Sequence, residues 1–158
     1  MTTRTDFTPE EWSLIKKTLH QPGAAVMLAA PGGGLREMLA LAQGVIEALE
    51  KFQHSELIKT LLKETEIRDT ETKHAQTAQS PKSFMDEMTA NLQKAVKAVR
   101  AKATAQEVED YQALVLFLAE KIASASAEGG FMGMGEKRIT ADEQRVLDEI
   151  RLELHRKT

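Results

Sequence analysis

The chain is predicted to be all-α, a compact bundle of about six to seven helices, and three observations predict this. Ala, Leu, Glu, Lys and Gln dominate, while aromatics make up only 4% and prolines number four, which is helix-former usage with few strand signals. Apolar residues recur at steps of three and four, most regularly at Val108, Tyr111, Val115, Leu118, Ile122 and Ala125. Three Thr-x-x-Glu capping boxes, at Thr8, Thr104 and Thr140, stand directly before such stretches.

The first helix opens at Phe7-Thr8-Pro9-Glu10-Glu11-Trp12, where Thr8 caps, Pro9 suits the first helical position, and Phe7 and Trp12 occupy the two staple positions. It is expected to run to about His20 with Trp12, Ile15 and Leu19 inward, and to break at Pro22-Gly23. Ala24 to Ala30 is apolar all round, which predicts a separate short central helix, ended by Pro31-Gly32-Gly33-Gly34. A third helix follows to roughly Phe52, with Leu35, Met38, Leu39, Ala42, Ile46 and Leu49 as its expected buried stripe. Leu57, Ile58, Leu61 and Leu62 mark a fourth.

Residues 66–80 are polar and aperiodic and read as a connection. Ser80-Pro81 reopens a helix that should end near Ala103, with Met85, Met88, Leu92, Ala95 and Val99 inward. The helix opened by Thr104 is the core helix, its stripe widened by Leu114 and Phe117 and its end set by Gly129-Gly130. The last helix, from Thr140, buries Leu147, Ile150 and Leu154 and carries His155, Arg156 and Lys157 where the helix dipole favours positive charge. The chain thus reads as one domain, 1–158, whose helical halves 1–65 and 81–158 flank the connection. Each half has a Thr-capped helix, a small-residue segment and a glycine break. Internal duplication is one reading of this likeness, and shared alanine-rich composition is the other.

Composition excludes several functions. Without cysteine there is no thiolate nucleophile and no Cys-based zinc site. The longest apolar runs are seven residues, against about 20 for a bilayer span, and the N-terminus lacks an apolar signal region, so a soluble cytoplasmic protein without a membrane partner is expected. A net charge of −3 offers no basic excess for nucleic acid.

The stretch from Ala127 to Glu143 departs most from helical sequence. Four of the nine glycines fall within seven residues, interleaved with Phe131, Met132 and Met134. Apolar side chains in such a loop either fold back as a lid on the core or wait for a partner, and methionine suits adaptable binding surfaces. Gly130-Phe131-Met132-Gly133-Met134-Gly135 fails as a phosphate loop, because Glu136 stands where lysine is needed and a helix rather than a strand precedes it. Glu128, Asp142 and Glu143 flank the loop and are the candidate oxygen ligands for a hard cation, the alternative being that Glu143 caps and the others face water. Glu71-x-x-His74 has the spacing of half a di-iron site, but no second copy exists. His20, His54 and His155 lie near predicted helix ends and read as solvated or capping. No nucleophile setting surrounds any Ser or Thr, and nothing else points to an enzyme.

Two resemblances accompany these features. The Phe7 to Trp12 opening, Ser55-Glu56-Leu57-Ile58, the segment Arg100 to Val108, and Glu128-Gly129-Gly130-Phe131-Met132-Gly133 resemble small bacterial all-helical proteins without an assigned activity. The segment Ile139 to Ile150, after its alanine-rich helix and glycine turn, is similar to the repeat of TerB-like tellurite-resistance domains. That resemblance implies a duplicated all-helical fold, a role in bacterial stress, and in some members metal held by acidic residues. The turns here read Ala30-Pro31-Gly32 and Ala127-Glu128-Gly129 instead of the usual Asp-Gly, leaving Glu128 as the one turn carboxylate. The expectation is therefore a non-enzymatic interaction protein that self-associates or docks a protein partner through Phe131, Met132 and Met134. No cofactor is expected on that reading; the alternative is a TerB-like binder of a divalent metal or small ligand.

Overall fold

The computed structural model of the chain describes residues 1–29, 35–65, 80–127 and 139–156. A 3-10 turn at Arg4–Asp6 precedes six helices: α1 (Pro9–Ala29), α2 (Leu35–Lys51), α3 (Glu56–Glu64), α4 (Pro81–Lys102), α5 (Ala105–Ala127) and α6 (Ala141–His155). No strand occurs among the described residues, so the fold is the all-α bundle that the periodicity predicts. All three capping boxes form. Thr8, Thr104 and Thr140 each accept the backbone N–H of a glutamate three residues on, at 3.2, 3.3 and 3.2 Å, and that glutamate accepts the threonine's own N–H in return. The Phe7 and Trp12 rings close the staple at 5.7 Å.

α5 is the core helix: it touches each of the other five, and Tyr111, Leu114, Val115, Leu118, Ile122 and Ala123 are fully buried along it. α1 packs across α4, α5 and α6, so residues from both ends of the chain share one apolar core. Within that core the hydroxyls of Thr18 and Tyr111 meet at 2.5 Å. Burial pushes the Tyr111 phenol above its ordinary range, and this hydrogen bond opposes the push only in part.

The break expected at Pro22-Gly23 is absent. α1 runs unbroken from Pro9 to Ala29, and Ala24 to Ala29 is its second half rather than a separate helix. Proline inside a helix removes one ladder hydrogen bond and costs about 3 kcal/mol. Here that cost is offset because the segment beyond it is apolar all round, and Pro22, Gly23, Ala25 and Val26 are all buried. Gly23 is what permits the close crossing with α5, since a Cβ there would stand 2.2 Å from Ile122 Cδ1.

α2 is rotated from its expected setting. Leu39 and Ile46 face solvent, while Ala40, Gly44, Val45 and Ala48 are buried, together with Glu37. Ala40, Gly44 and Ala48 recur every four residues and form a low ridge that lets α2 lie close on α5; a Cβ on Gly44 would already be 3.3 Å from Leu118 Cδ2. Close backbone approach thus decided the face, where side-chain size alone points to the leucine stripe. α4 follows expectation more closely, with Phe84 rather than Met85 as its first fully inward residue.

The Glu107 carboxylate ties the first residues of the chain to the start of α5. Glu107, 7% exposed, accepts the Thr2 N–H at 2.9 Å and the Thr2 hydroxyl at 2.8 Å while capping α5 through Thr104. Burial alone would raise its pKa, but the N–H groups of Thr104 and Thr2, with both hydroxyls, outweigh it and hold the group at about 2. Glu64 performs a similar task on the far side of Trp12: it accepts the indole N–H at 2.8 Å, which chiefly lowers its pKa, and lies 3.3 Å from Arg4.

Two outcomes are expected. Gly23→Ala should destabilise by about 1–2 kcal/mol, overpacking exceeding the gain in helix propensity, and Ile122→Val in the same chain should recover most of that loss; additive effects in a double-mutant cycle would refute the contact. Because its folded pKa lies below the ordinary value near 4.5, Glu107 adds stability above that pH and loses it as pH falls toward 2. The contribution is about 2 kcal/mol. Denaturant titrations from pH 6 to 2 should therefore show a flatter acid limb for Glu107→Gln.

Candidate functional site

Of the residues that the sequence singles out, Phe131, Met132, Met134 and Glu128 lie outside the described residues, as do Glu71 and His74. Asp142 and Glu143 are placed, and they do not converge. Asp142 is exposed and pairs with Arg145 at 3.1 Å. Glu143 is fully buried, with Oε2 accepting the Thr140 N–H at 2.8 Å as the capping box requires. Its other oxygen, Oε1, is buried without a hydrogen-bond partner. Among the described residues no group of three or more His, Asp or Glu side chains could hold a metal ion.

His54 makes a defined side-chain contact among the described residues. His54 Nε2 stands 3.0 Å from Asp110 Oδ2, joining the turn after α2 to α5, and Gln106 donates to the other oxygen of Asp110 at 3.0 Å. The neighbouring Ser55 hydroxyl is committed to capping α3, where it accepts the Ile58 N–H at 3.3 Å. Between α4 and α6 an open groove of about 260 Å³ is lined by Met85, Asp86, Thr89, Arg145, Val146 and Glu149. Asp86 pairs with Lys82 at 2.9 Å and Arg145 with Asp142, each along its own helix, while Glu149 has no ion pair among the described residues.

Among the described residues the exposed large apolar side chains are Met1, Leu39, Ile46 and Leu152, and α2 is the helix that carries two of them. Leu39 is 57% and Ile46 63% exposed, and they stand seven residues apart on one side of the helix. Ala42 and Leu49, both half-buried, extend the same strip toward the bundle. Arg36, Gln43 and Glu50, all exposed and again seven apart, border the strip on its open side. Neither Arg36 nor Glu50 has an ion-pair partner among the described residues, whereas Glu47, one step further round, is paired with Lys121 of α5. On the other border Val45 and Phe52 are buried in the bundle. The arrangement is a narrow apolar strip with a bipolar edge, a geometry suited to receiving another helix.

No family model, curated protein or solved structure matches this chain. The α2 strip was legible in part, since its residues are those of the expected buried stripe. What the stripe could not say is which side of the helix would remain outside. The signal for that was the spacing of Ala40, Gly44 and Ala48, a second candidate contact ridge on the same helix.

Proposed function

We propose that this chain is a non-enzymatic helical interaction protein whose docking surface is the outer side of α2. One observation carries the reading. Two large aliphatic side chains, Leu39 and Ile46, stay exposed on a helix whose opposite side supplies its packing. Each forgoes about 1–2 kcal/mol of burial that a docked partner would supply. The Phe131, Met132 and Met134 loop remains a second docking element in this reading, on the strength of its composition. No helix among the described residues is long and apolar enough to cross a membrane. The partner is accordingly read as another protein or another copy, and the setting as cytoplasmic.

A second reading, a TerB-like stress protein holding a divalent cation or small ligand, is favoured by the unpartnered Oε1 of Glu143. A ligand of that kind binds the folded chain alone and so raises its Tm by mass action. Thermal unfolding with added manganese or calcium, and again with chelator, should show opposite shifts if a cation is held. An unchanged Tm in both conditions would sink this alternative.

For the first reading, Leu39→Lys and Ile46→Lys are expected to leave the unfolding free energy of dilute protein within about 0.5 kcal/mol of the parent, as at other exposed positions. A loss of several kcal/mol would mean that the face is covered by the chain itself, and docking at α2 would be abandoned.

A further inference from the structure

We infer that the occupant of the α2 face is α2 of a second copy of this chain, lying antiparallel across a two-fold axis near Ala42 and Gln43. The inference rests on reading α2 as a docking surface and names its partner. Leu39, Ala42, Ile46 and Leu49 alternate steps of three, four and three, the spacing of a coiled-coil seam. In an antiparallel pair centred between Ala42 and Gln43, Leu39 meets Ile46 of the partner subunit and Ile46 meets Leu39 of the partner subunit. The small side chain at the axis lets the two helices approach closely.

The bipolar edge selects this orientation. Arg36 and Glu50 lie 14 residues apart, about 21 Å along the helix, on either side of Gln43. The two-fold sets Arg36 against Glu50 of the partner subunit, and repeats that pair at the other end. Both side chains lack an ion-pair partner among the described residues, so forming these pairs breaks none of the described ion pairs. A parallel pairing would instead bring the charged edge against the Val45 and Phe52 side, which is occupied by the helix's own bundle. The buried ridge of Ala40, Gly44 and Ala48 lies nearly opposite the seam, so the two bundles project away from each other. One short seam is a small interface, of the class that associates weakly and reversibly.

The test is sedimentation velocity of the full chain from the micromolar to the millimolar range at low salt. The variants are Arg36→Glu, Glu50→Arg, an equimolar mixture of the two, and Leu39→Lys with Ile46→Lys, all checked for helicity by circular dichroism. The parent should dimerise, each single charge variant should weaken the dimer about tenfold, and the mixture should recover it as a heterodimer, because both cross-pairs are then attractive. Added salt should shrink the difference. A parent that stays monomeric throughout overturns the second copy as occupant. The stability of the lysine variants then decides separately whether α2 is a docking face at all. A dimer unaffected by the lysine substitutions uses another surface, and a dimer that they abolish but that the mixture does not rescue is not antiparallel; either result overturns the inference.

Discussion

The structure depends on how closely α1 can lie on α5. Two contacts mark that crossing: the Gly23 backbone against Ile122, and, further along the pair, the buried hydrogen bond between the Thr18 and Tyr111 hydroxyls. Because α1 also packs on α4 and α6, its position relative to α5 fixes where those helices sit. The proline next to Gly23 is therefore held inside a helix that local preference would end. Long-range burial of Val26 and its neighbours outweighs the lost hydrogen bond.

A similar logic on α2 produces the exposed surface. Small residues at 40, 44 and 48 allow the helix axis closer to α5 than the leucine stripe would, and dispersion contacts accumulate with approach. The helix turns its low ridge inward, and the large aliphatic groups are left at the edge and outside. The strip left outside is bordered by a basic and an acidic group at opposite ends, the feature on which the proposed interface rests.

Polar groups are used for positioning throughout the described residues. Glu107 ties the N-terminal segment to the start of α5, Glu64 ties Trp12 to α3, and Gln93 joins α4 to α6 through Glu153 at 2.6 Å. Each is a side chain whose hydrogen bonds are made to structural partners. The buried Oε1 of Glu143 is the exception.

The chain's own pattern determined the helix class, the capped starts at Thr8, Thr104 and Thr140, the central place of α5, and the inward residues of α3 and α6. These follow from local chemistry: a threonine hydroxyl and a glutamate three residues on satisfy the free N–H groups of the first turn, and an uninterrupted step of three and four leaves one face to bury. Tertiary structure decided the continuity of α1 through Pro22 and the face that α2 presents. Both are contests between two locally acceptable outcomes, and the winner depends on how near a distant helix comes. Gly23 and Gly44 carry that information as an absence of side chain, which acquires meaning only when Ile122 and Leu118 stand opposite.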